Sequence, residues 1–159
     1  MIMSSAQEDG APPGSLPQDT VEAVQAALGA EHAAIWVYGL VSAFLPSDLN
    51  KAVSEGMTAH RARRDATARL LTAAGLSPKP AEAAYMPPKP VDSQDSAIAV
   101  LVTAESDLTV AWRAVLDRSD DPALRRSALD ALTNAAVRAT RWRKKAGTTP
   151  VATALPGQA

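Results

Sequence analysis

Apolar residues recur at alternating steps of three and four along most of this chain, the spacing that aligns one face of an α-helix. The clearest run reads Val21, Val24, Leu28, Glu31, Ile35, Tyr38, Ser42 and Leu45, and a second reads Ile98, Leu101, Glu105, Leu108, Trp112 and Val115. A weaker stripe, Val53, Met57, His60, Arg64, Thr67, Leu71 and Ala74, carries more polar members. A fourth runs from Leu124 through Leu129, Leu132, Ala136 and Ala139 to Trp142, among so many alanines that its facing is ambiguous.

Proline sets the limits of these stripes, because inside a helix it removes a hydrogen bond and clashes with the preceding turn. Four proline-free stretches result, 18–45, 47–77, 91–121 and 123–149. Each is predicted to be one long helix. Asp19 or Thr20 is the expected N-cap of the first and Asp92 or Ser93 that of the third, while Gly75 ends the second. The short connections at Pro46 and at Asp120 to Pro122 predict two antiparallel hairpins. Between the hairpins, Leu76 to Val91 holds five prolines. At roughly 3.1 Å per residue such a link covers about 45 Å, enough to run the length of a helix of about 40 Å. One long crossover between two hairpins is the connectivity of ferritin-like bundles. The expected architecture is therefore an all-α four-helix bundle over 18–146, with a disordered N-terminal tail at 1–17 and a flexible C-terminal tail at 147–159.

Composition agrees with that picture. Alanine supplies 34 of the 159 residues and aromatics only 4%, which favours closely packed helices over sheets. With no cysteine, disulfides, thiolate metal sites and cysteine nucleophiles are excluded. No apolar run is long enough to span a bilayer, and Met1 to Asp19 lacks both a basic start and an apolar stretch, so a cytoplasmic protein without membrane contact is expected. The net charge of −1 hides a division: by stretch it is −3, +2, −5 and +6. Acidic helices thus have basic neighbours available.

Glu31 and Glu105 interrupt otherwise apolar seams, where an unpaired carboxylate is costly to bury. Glu31, His60 and Glu105 each lie close to the midpoint of their stretch, which places them at one level of a bundle. Asn134 and Arg138 on the fourth stretch fall near the same height, and Arg64 stands one turn beyond His60.

In this layer the chain resembles ferritin-like di-iron proteins, which carry Glu, Glu-x-x-His, Glu and Glu-x-x-His on successive helices. Glu31, His60 and Glu105 match that pattern, and Tyr38 follows Glu31 by seven residues as a tyrosine does in ferritins. The second-helix Glu position is Met57, and the fourth helix has Asp130, Asn134 and Arg138 in place of a histidine, leaving three of the six ligands. More closely, the chain resembles an alanine-rich, ferritin-like domain of unknown function found in actinobacteria. The likeness runs through AALGAEHAAIWVYGLV at 26–41, HRARRDATARLLTAAG at 60–75, YMPPKPVD at 85–92 and AWRAVLDRSDDPALRRSALDALTNAAVRATRWR at 111–143. It implies the fold and no particular activity.

Two roles for the layer follow. In one, Glu31, His60, Arg64, Glu105, Asn134 and Arg138 form a buried ion-pair layer in which arginine neutralises the carboxylates, a degenerate metal layer in a structural or interaction protein. In the other, Glu31, His60 and Glu105 hold a single Fe, Mn or Zn ion, or the cluster with Arg63 binds a small anion. His32 points about 100° away from Glu31 around its helix and belongs to an interface or the surface. The basic run Arg141 to Lys145 complements the dipole of its helix end and is too short to argue for nucleic acid. No nucleophile, phosphate loop or catalytic triad can be inferred, so the inventory leans away from catalysis. Gly29, Gly39 and Gly56 inside helices point to close helix approach, including across a homodimer, and Trp36, Tyr38 and Phe44 suit either a dimer interface or core packing. An unidentified protein partner or small ligand completes the expectation.

Overall fold

The computed structural model describes residues 15–158. Four helices account for most of them: α1, Gln18–Val41; α2, Asn50–Ala73, entered through a 3-10 turn at Ser47–Leu49; α3, Gln94–Arg118; and α4, Pro122–Ala146. No strand occurs among the described residues.

The helix ends show which local signals prevailed. Ser93 caps α3, accepting from the Ser96 N–H while the Ser96 hydroxyl accepts from the backbone of Ser93. Asp121 caps α4 by accepting from Leu124, with Pro122 in the first helical position where its missing N–H costs nothing. Gly75 and Gly147 take the left-handed conformation after α2 and α4. The cap expected at Asp19 or Thr20 is displaced, since α1 begins at Gln18. Thr20 is instead buried, and its hydroxyl donates to the carbonyl of Arg118 at the end of α3. Nor does α1 reach Leu45: it stops at Val41 and turns ahead of Pro46.

Contacts along the helices fix their directions. Thr20 meets Arg118, Glu31 meets Trp112 and Tyr38 meets Glu105, so α1 and α3 are antiparallel. Glu31 with His60 sets α1 against α2, and Arg125 on the Leu116 carbonyl sets α3 against α4, both antiparallel. The two hairpins are joined by a crossover pinned along α1. The amide of Gln25 brackets it at Ser77 and Lys79, His32 bonds the Lys79 carbonyl, and Tyr85 packs on Trp36 at 6.1 Å. That link therefore follows α1 from its first turns to its last.

The core divides in two. One cluster holds Val24, Leu28, Leu71, Leu108, Trp112 and Leu124; the other holds Tyr38, Val41, Val53, Ile98, Leu101 and Trp142. Three predicted seam positions moved: Ala34 and Val41 take the buried places expected for Ile35 and Ser42, and Leu129 is 52% exposed while Ala128, Ala131 and Ala135 face inward. Small inward residues let α4 approach its neighbours closely.

The segment expected to trail from the bundle has a defined path. Residues 148–158 turn back onto α3, where Gly157, at φ +89°, lies so close that a Cβ would meet the Thr109 carbonyl and the Arg113 Cβ at 2.7 Å. Of the expected N-terminal tail, residues 1–14 lie outside the described residues, and Leu16 packs against the first core cluster.

Candidate functional site: a buried Glu-His-Glu layer

Between the two core clusters lies the polar layer. Glu31, His60 and Glu105 converge there, each at most 2% exposed. His60 sits between the carboxylates: Nδ1 is 2.8 Å from Glu31 Oε2, and Nε2 is 2.9 Å from Glu105 Oε1. A ring bonded to carboxylates through both nitrogens is a double donor. Burial on its own would lower the pKa of His60, but hydrogen bonds to Glu105 and Glu31, and the charge of both, raise it to about 9. The layer thus holds an imidazolium at neutral pH.

Aromatic donors complete the layer in a reciprocal pattern. Tyr38, seven residues after Glu31 on α1, donates to Glu105 at 2.6 Å; Trp112, seven residues after Glu105 on α3, donates to Glu31 Oε1 at 2.9 Å. Two antiparallel helices with the same Glu-to-aromatic spacing make this exchange automatic. Trp142 of α4 then donates to the Tyr38 oxygen at 3.0 Å. Desolvation, with the charge of Glu105, pushes the Tyr38 hydroxyl far above its ordinary pKa, so it stays a donor. Room for the ring comes from Gly56 on α2, where a Cβ would stand 2.3 Å from Tyr38 Cε1. Glu105 Oε2 alone among the described buried side-chain polar atoms has no hydrogen-bond partner.

The arginine-neutralised version of this layer is corrected. Arg64 lies at the helix surface and pairs with its neighbour Asp65 at 2.8 Å, its side chain 32% exposed. One turn beyond His60 along α2, its guanidinium turns to Asp65 instead of into the layer. Asn134 is exposed and takes no part. Arg138 is half-buried and contributes only the field of its charge at Tyr38. Histidine, not arginine, bridges the carboxylates.

The remaining candidates are occupied elsewhere. Arg63 lies over the Trp112 ring at 5.9 Å and donates to the Ser127 carbonyl at 3.3 Å, so its guanidinium faces α4 instead of an anion cavity at His60. His32 holds the crossover. Of the two accounts of Gly56 and Tyr38, core packing is the one seen, since they meet each other within one chain, and Trp36 packs on Tyr85. Trp112 and Trp142 as donors escaped the sequence reading. The repeated seven-residue spacing was the signal for the first; the second had none, because alanine hides the facing of α4.

A metal would have to displace what is there. Both imidazole nitrogens are engaged on opposite sides of the ring, and among the described residues no three His, Asp or Glu side chains stand arranged as metal ligands. The ferritin-like ligand set does not fit: the position one turn before His60 is Met57, and α4 brings Trp142 into the layer.

Comparison with known proteins places this architecture. The family described as domain of unknown function DUF4439 matches residues 23–159. The chain belongs to the DUF4439 family. Among solved structures, this DUF4439 chain is similar to the crystal structure of a conserved hypothetical protein, rv2844, from Mycobacterium tuberculosis, at 38% identity and a TM-score of 0.80, covering 82% of this chain and 99% of that one. No curated protein matches. No helix among the described residues of this DUF4439 protein is long and apolar enough to cross a membrane.

Proposed function

We propose that this DUF4439 protein is a non-catalytic structural or interaction protein on a ferritin-like bundle, whose degenerate metal layer is held by a buried histidine. The observation that carries this reading is the double engagement of His60, which occupies the place between Glu31 and Glu105 that a cation would take. Such layers fix helix register more than they add stability. The test is elemental analysis of untagged protein purified without chelators, repeated after addition of Fe(II), Mn(II) or Zn(II). Substoichiometric metal that washes away is the expected result. About one metal per chain, lost in Glu31→Ala and His60→Ala, overturns it.

One observation favours a second reading, a mononuclear metal-binding protein. Glu105 Oε2 is buried without a partner, and a buried acceptor left unpaired costs about 1–3 kcal/mol. A small cation would satisfy it if His60 released Glu105. That reading requires a Glu105→Gln variant to lose the metal while wild type keeps it through dialysis.

A further inference from the structure

Helices α3 and α4 leave a groove that the returning C-terminal segment closes on a third side. It encloses about 760 Å3, within the roughly 300 to 1,000 Å3 of small-molecule sites. Val110 on α3 and Leu132, Ala136 and Val137 on α4 line it, with Pro156 and Gly157 as the far wall. Val110 and Val137 are 38% and 43% exposed along this cleft.

The polar groups of the groove are arranged unequally. Three of the hydroxyls along it are turned into their own helices: Ser106 donates to the Val102 carbonyl, Thr109 to Ser106 and Thr140 to Ala136. What they leave towards the groove is mostly carbon. At the end formed by the last turns of α4 stand Arg141 and Arg143. Arg143 is steadied by a 3.0 Å bond to Ser106 Oγ, and Arg141 is exposed with no ion pair among the described residues. Among the described residues no carboxylate side chain lines the groove. An apolar trough ending in two unneutralised guanidiniums is complementary to a ligand with a long apolar body and an anionic head, since the guanidinium fork matches a carboxylate.

We propose that this groove binds an elongated anionic amphiphile, a long-chain carboxylate, with its chain along Val110 and Val137 and its head at Arg141 and Arg143. Gly157 sets the third wall, because only a residue without Cβ brings the returning backbone onto Thr109 and Arg113. The polar layer plays no part in this site, so the two stand or fall separately.

The probe is cis-parinaric acid, a fluorescent long-chain carboxylate, titrated into the full chain below its micellar concentration. Saturable binding near one per chain is expected, displaced by oleate and at least tenfold less well by oleyl alcohol. Ala136→Trp fills the trough and should abolish binding. Val137→Glu, at an exposed position where the fold tolerates charge, should do the same with an unchanged unfolding midpoint. Arg141→Gln with Arg143→Gln should weaken oleate at least tenfold and leave oleyl alcohol unaffected. No saturable binding, undiminished binding in folded Val137→Glu, or equal affinity for oleate and its alcohol would each overturn the proposal.

Discussion

At the scale of single residues, His60 holds the layer together. Replacing it with leucine removes both donors and strands two buried carboxylates, for which a loss of about 3–5 kcal/mol is expected, read from urea unfolding. Arg64→Leu, by contrast, removes only an exposed pair with Asp65 and should cost under about 1 kcal/mol. A loss from Arg64→Leu as large as that from His60→Leu would contradict the geometry. Tyr38→Phe tests the exchanged donors: Glu105 would lose one of its two partners, at about 1–3 kcal/mol. The same measurement on Trp112→Phe should give a comparable loss through Glu31.

Between elements, fit is decided by small residues. Alanine at position 56 would gain up to about 1 kcal/mol of helix propensity in isolation. Here it meets the Tyr38 ring, and overpacking of this kind costs about 1–3 kcal/mol. Gly56→Ala should therefore lower the thermal midpoint, and Tyr38→Leu combined with it should cost less than the two changes added together. These elements also show how far the sequence could be read. Proline spacing located four helices and the crossover, and two carboxylates on apolar seams located the layer, because both signals act within a single helix. What the seams could not give was rotation about the axis. Arg64 shares the seam of His60 on paper yet lies outside it in the bundle, and the alanines of α4 left the facing of Trp142 ambiguous. Facing is settled by neighbours, and the relevant neighbours here come from other helices.

For the molecule as a whole, the layer ties stability to pH. His60 has a folded pKa of about 9 against an ordinary 6.5. Its contribution is thus complete below about pH 6.5 and is lost as pH rises through about 9, where a neutral ring can donate to only one carboxylate. The urea midpoint of wild type should fall over that window, by an amount on the order of a few kcal/mol in unfolding free energy. In His60→Gln the slope should be absent; equal slopes in both proteins would place the titration elsewhere. The three tryptophans divide this molecule among its parts: Trp36 lies under the crossover, while Trp112 and Trp142 are bonded into the layer. Their emission makes the fold its own optical instrument. Detachment of the crossover would red-shift one surface indole, whereas loosening of the centre would alter two buried ones, so single-tryptophan variants can time the two events apart without any attached dye.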